Sequence, residues 1–195
     1  LNETDELTLG GPFWKDHIWF FLAYRDIGES STNNTTAAPT SISYQTVSTQ
    51  ERQEAKLTLT PHPSHSVVAN YLEIEQTTTN SSFGQILDLA SLSNRNDPQE
   101  LKAGHYTGIF GSSFFVEAQY SERNFLLGDG SGSQFRDLIG GTMIRHSFVD
   151  TRYHTGTFCG VCPAELRDNE NALAKASYFL TTDSGSHDIV FGYDT

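Results

Sequence analysis

The segment Phe114-Phe115-Val116-Glu117-Ala118-Gln119-Tyr120-Ser121 constrains this chain more than any other. Side chains along a strand alternate between its two faces. One face therefore carries Phe114, Val116, Ala118 and Tyr120, and the other carries Phe115, Glu117, Gln119 and Ser121. The first face calls for an apolar medium and the second largely for water. Both a half-buried soluble sheet and a strand in a transmembrane barrel meet that demand, so the connections between strands decide between them.

Four hairpins with short turns are legible. Leu7-Thr8-Leu9 leads through Gly10-Gly11-Pro12 and a turn at Lys15-Asp16 to a return strand, Ile18 to Arg25. Ala55 to Thr60 leads through Pro61-His62-Pro63-Ser64 to Val67 to Glu73; the two prolines mark a turn, since proline cannot donate to a central ladder. His105 to Phe110 joins the Phe114 strand through Gly111-Ser112-Ser113, and Ala174 to Leu180 joins Ile189 to Tyr193 through Asp183-Ser184-Gly185-Ser186. Between these hairpins lie polar segments, 28–50, 77–102 and 125–169, rich in Ser, Thr, Asn and Gly. Loops beyond ~12–15 residues are uncommon in compact soluble domains. Short turns alternating with long connections are the pattern of outer-membrane barrels. No solenoid-type repeat is evident.

Composition agrees with β structure. Only 36% of residues are hydrophobic, yet 12% are aromatic, a balance better suited to strands than to helix bundles. No stretch approaches the ~20 apolar residues of a membrane-spanning helix, but barrel strands need only ~9–11 alternating residues. The formal charge of -12 argues against a nucleic-acid partner, which requires a basic surface. Acidity serves solubility, or attracts cations to the loops. The chain opens at Leu1 without a signal peptide and stops at Thr195 inside a strand pattern. It is therefore expected to be a segment of a longer protein, for which a missing signal peptide says nothing about localisation.

The fold expected is all-β: an antiparallel transmembrane β-barrel segment of about four hairpins with long extracellular loops, open and incomplete, spanning 1–195. Phe20, Leu22, Tyr24, Val116, Tyr120, Tyr178 and Phe191 are expected to face lipid. So are Ile18, Val67, Ala69, Tyr71, Ala174, Ala176, Leu180 and Ile189. Lys56, Asn70, Glu117, Gln119, Ser121 and Lys175 are expected to face a wet lumen. Trp19 and Phe21 are apolar on the lumen side, which on its own would suit a sandwich core. Phe13-Trp14 lies beside a short turn, where an interfacial aromatic belt would sit.

The segment Leu9-Gly10-Gly11-Pro12-Phe13-Trp14-Lys15-Asp16-His17-Ile18-Trp19-Phe20-Phe21-Leu22-Ala23-Tyr24-Arg25 resembles TonB-dependent outer-membrane receptors. The resemblance is to the Oar-like branch, which often carries an N-terminal carboxypeptidase-regulatory-like domain. Phe13-Trp14 stands where that pattern has an aliphatic pair. The Phe114–Ser121 strand, the strands around Tyr178 and Phe191, and the loop Thr157-Phe158-Cys159-Gly160-Val161-Cys162 are similar to the same family. The resemblance implies a receptor and transporter, not an enzyme, that takes up an extracellular ligand across the bacterial outer membrane. Its partners would be outer-membrane lipid, that ligand and, through a plug, the TonB system. The plug and the TonB-contacting segment precede the barrel in the family and are not recognised here, so no residue is assigned to energy coupling. The rival class is a secreted β-sandwich that binds carbohydrate or protein.

Little else carries chemistry. Cys159 and Cys162 are the only cysteines. They suit a local disulfide in an extracellular loop. The alternatives are free or redox-active thiols, or a zinc site with His146 and His154, although that spacing fits no standard ligand pattern. Asp129, Glu165, Asp168 and Glu170 could bind calcium, but acidic loops are usually only solvated. Gly128-Asp129-Gly130-Ser131-Gly132-Ser133 is neither a Walker loop nor a dinucleotide fingerprint. No Ser, His or Asp has a recognisable nucleophile setting, and no cofactor is expected.

Overall fold

The structure is a computed structural model that describes residues 2–34, 41–82, 85–86, 89, 92–127, 143–146, 151–154 and 165–195. It is all-β, and its main sheet is antiparallel. Eight long strands make the main sheet: β1 (Asn2–Trp14), β2 (Ile18–Asn34), β3 (Ser43–His62), β4 (His65–Ser81), β7 (Gln99–Phe110), β8 (Phe114–Leu127), β12 (Asn169–Thr182) and β13 (Gly185–Asp194). They neighbour one another in that order, so each pairs with the next long strand in the chain. Two short strands extend the sheet: β6 (Ser93–Asn96) pairs with β4, and β11 (Glu165–Leu166) pairs with β8. A second, three-stranded sheet joins β5 (Gln85–Ile86), β9 (Met143–His146) and β10 (Thr151–His154). Within it β10 pairs parallel with β5, which ties the β4–β6 connection to the β8–β11 connection. The main sheet is not closed: β1 and β13 are free edges.

The four short turns lie at one end of the sheet. They fall at 15–17, 63–64, 111–113 and 183–184. Asp16 and Gly111 adopt left-handed backbone conformations, with φ of 68° and 66°, which Gly adopts freely and Asp tolerates. Pro61 lies inside β3, not in the turn. The register shifts between Leu59 and His62, and a proline is admitted where the ladder is interrupted.

At the other end the strands run well past their sequence-based limits. Most of the expected loop 28–50 is strand, because β2 and β3 stay paired from Ile18↔Leu59 to Asn34↔Ser43. Likewise β4 continues to Ser81 and β7 begins at Gln99. Cross-strand side-chain ladders hold this extension. Thr49 and Thr77 hydroxyls lie 2.6 Å apart, Asn33 Nδ2 donates to Thr46 Oγ1 at 2.8 Å, and Gln50 Nε2 donates to Gln76 Oε1 at 3.5 Å. Each such pair contributes roughly 0.2–1 kcal/mol.

The sheet is a single layer. Among the described residues only Ile86 and Ala176 are buried hydrophobics, and Ser177 is the buried polar residue. A sheet normally hides one face against a second layer; here large apolar side chains stay open, including Leu9 at 60%, Leu22 at 46% and Phe191 at 58% exposure.

Candidate functional site: the two faces of the sheet

Register sorts the side chains. Phe20 pairs with Leu57, Leu57 with Ala69, Ala69 with Gly104, Gly104 with Tyr120 and Tyr120 with Ala172. Residues in directly paired positions share a face, so one face carries every residue expected to meet lipid. Leu22 and Tyr24 stand with Phe20 on β2. Val116 pairs with Ala176, Ala176 with Phe191, and Phe114 with Tyr178. This is the band face.

The same rule groups the expected lumen residues on the opposite face. Lys56 pairs with Asn70, Asn70 with Ala103 and Ala103 with Ser121; Glu117, two steps along from Gln119, pairs with Lys175. His105, which the sequence does not single out, joins them there: its Nε2 lies 3.2 Å from Glu117 Oε1. Arg52–Glu54 at 3.0 Å and Arg25–Glu6 at 2.9 Å are ion pairs on this face. Both are exposed and worth at most about 1 kcal/mol. Arg123 donates to Gln99 at 3.0 Å and lies over the Phe125 ring at 4.9 Å. Trp19, Phe21, Leu72 and Leu101 are also on this face by register, so it is mixed, not uniformly polar.

The band face has two borders. Toward the long connections the apolar residues give way at Tyr71 and Tyr120. Tyr71 donates to Glu73 at 2.9 Å and to Glu100 at 3.3 Å, and Tyr120 donates to Glu170 at 3.0 Å. Each ring lies on the apolar side and each hydroxyl reaches a carboxylate. Beyond them the face is acidic, with Asp26, Glu51, Glu75, Glu100 and Glu122 in paired or neighbouring positions. Lys102 stands at the border, opposite Tyr71, and bonds Glu100 at 2.7 Å. Glu100 lies past the apolar residues. The Lys102 ammonium holds its carboxyl below the usual range, with bonds from Asn124 and Tyr71 acting the same way.

Toward the short turns the border is a chain of rings. Trp14 and His17 have centroids 4.8 Å apart. His62, His65, Tyr106, Phe110, Phe114 and Tyr178 follow across the sheet at centroid spacings of 5.0–6.5 Å. Among the described residues, no Asp, Glu, Lys or Arg stands on this face between the borders. At ~3.3 Å per residue the apolar run covers ~20 Å of β2 from Ile18 to Tyr24 and ~26 Å of β12 from Ala172 to Leu180. An apolar band ~25 Å tall with aromatic girdles is the outward signature of a membrane barrel.

Cys159, Cys162 and Asp129 lie outside the described residues. His146 and His154 fall at opposite ends of the β9–β10 ladder, in the pairs Thr151↔His146 and His154↔Met143. Glu165 bonds Arg167 at 2.8 Å, Asp168 accepts the Phe125 backbone N–H at 3.1 Å, and Glu170 accepts from Tyr120. Among the described residues no three metal-ligating side chains converge, and no helix is long and apolar enough to cross a membrane. Comparison with protein-family models, curated proteins and solved structures finds no match for this chain.

Proposed function

We propose that this chain forms part of the barrel wall of a bacterial outer-membrane receptor of the TonB-dependent, Oar-like type, which takes up an extracellular ligand. The observation that carries the reading is the band face: an uncharged apolar belt on a single-layer sheet, with ring borders on both sides. A soluble sandwich covers such a face with a second sheet; lipid covers it here. The tyrosines at the upper border suit a boundary between hydrocarbon and water, because ring and hydroxyl want different media. The mixed opposite face, with Lys56, Asn70, His105, Glu117, Gln119 and Lys175, would line the lumen. The long connections would lie outside the cell and the short turns in the periplasm. The free edges of β1 and β13 would pair with further barrel strands, since an open edge is not tolerated in hydrocarbon. The role is transport, not catalysis, with a plug coupling the barrel to the TonB system.

Folding into phospholipid vesicles tests this directly. The β-sheet circular dichroism signal should form with lipid or detergent and not in buffer alone. A chain that reaches the same cooperative fold in buffer would instead be the β-sandwich binding module.

A further inference from the structure

The ring border at the short-turn end contains a hydrogen-bonding site as well as apolar surface. His62 and His65 face each other across the β3–β4 turn, with ring centroids 6.0 Å apart. The Ser64 backbone N–H donates to His62 Nδ1 at 3.2 Å. That contact leaves the proton of the neutral ring on Nε2, which is not engaged by the turn. His65 Nδ1 lies 2.9 Å from the Tyr106 hydroxyl, and the two rings stack with an interplanar angle of 9°.

Gly108 makes this stack possible. It is directly opposite His65, and a Cβ there would run into the Tyr106 hydroxyl and lie 3.0 Å from His65 Nδ1. Tyr106 thus leans across a gap that only glycine leaves. Among the described residues no carboxylate bonds either imidazole. Lys15 and His17 occupy the adjacent turn, which is tied to β3 where the Thr60 N–H donates to the His17 carbonyl at 2.7 Å. The opposite end of the same face is acidic. Proton donors without acid partners, set at one edge of an apolar band, match the phosphodiester layer of a membrane.

We propose that His62 and His65, braced by Tyr106 over Gly108, bind the phosphate of a phospholipid in the leaflet at the short-turn end. His62 Nε2–H donates to a phosphate oxygen. Tyr106 donates to His65 Nδ1, which turns His65 Nε2–H toward the same group. Phe110 and Phe114 lie beside the upper acyl chain. The site rests on the membrane reading above, and its test must separate the two.

The test is magnetic dipolar recoupling between histidine ring 15N and lipid 31P, on the full chain in phosphatidylcholine vesicles. Insertion is checked on the same sample by quenching of Trp14 with brominated lipid. The expected result is dephasing of two histidine signals by 31P, one lost in His62→Gln and the other in His65→Gln, with Trp14 still quenched in both variants. A Gly108→Ala variant, which displaces Tyr106, should lose the His65 signal first. Trp14 quenching without any histidine dephasing overturns the site and leaves the membrane reading standing. Absence of Trp14 quenching overturns both. Equal dephasing by inorganic phosphate in a phosphate-free detergent would show a free-anion site and overturn the lipid assignment.

Discussion

The two halves of the long strands obey different rules. Near the short turns, β2 reads Ile18-Trp19-Phe20-Phe21-Leu22-Ala23-Tyr24, and its band face is wholly apolar. Near the long connections, the same strand reads Gly28-Glu29-Ser30-Ser31-Thr32-Asn33-Asn34, paired with an equally polar β3. The first half combines backbone pairing with an apolar face that no second layer covers. The second is wet on both faces and is held by backbone ladders and hydroxyl and amide pairs. A strand therefore needs no hydrophobic alternation where its neighbours supply the pairing. The Tyr71 and Tyr120 hydroxyls mark where one regime ends and the other begins.

Charge insertion separates the halves most sharply. Val116→Arg, in the middle of the band face, should destabilise the fold in lipid vesicles by ~2–4 kcal/mol and so lower the folded yield. Gln119→Arg, on the opposite face of the same strand, should leave folding nearly unchanged. Gel mobility of unheated against heated samples reads both. Equal yields would remove the distinction between the faces.

A smaller effect is expected at the border. Tyr71→Phe keeps the ring and loses the bonds to Glu73 and Glu100, at a cost of about 1 kcal/mol in urea titration of the lipid-folded chain. Tyr71→Ala should cost more, because the ring goes too. If the two variants lose the same amount, the ring contributes nothing at the boundary.

In the wet half, Thr49→Ala should cost roughly 0.2–1 kcal/mol through loss of the Thr77 pair. The loss should be the same in detergent and in lipid, unlike that of Val116→Arg. Dependence on lipid thickness at Thr49 would place it inside the membrane.

The smallest effect concerns pH. Glu100 has its carboxyl held low by Lys102, so its contribution is present above the ordinary glutamate range. It fades as pH falls through the depressed range. Glu100→Gln should flatten that part of the acid profile. An unchanged profile would mean that the Lys102 contact is not maintained in solution.

The apolar half was legible because alternation survives in the sequence. Phe114 to Ser121 declares its two faces without a partner strand, and register puts the residues expected to meet lipid on one face and those expected to meet a lumen on the other. Ser43 to Glu54 does not declare itself: Tyr44-Gln45-Thr46-Val47-Ser48-Thr49-Gln50 has the composition of a loop. It is a strand because β2 and β4 lie on either side of it. The His65–Tyr106 stack was hidden for another reason. Its members are 41 residues apart, and only register brings them together. The one local signal was Gly108 inside a strand, two residues after Tyr106, since an isolated strand glycine marks close approach of another group.

Trp14 and Trp19, the only tryptophans, report on the two faces of the sheet separately. They lie at the same end of the sheet, 63% and 47% exposed, and differ in face: Trp14 pairs with Ile18 on the band face, whereas Trp19 pairs with Thr58 on the other. Fluorescence quenching by phospholipids brominated along the acyl chain should be measured on Trp19→Phe and Trp14→Phe chains folded into vesicles. The expected result is strong quenching of the remaining Trp14 and little quenching of the remaining Trp19. Equal quenching of both, or of neither, would contradict a sheet with one face in lipid and the other in a lumen.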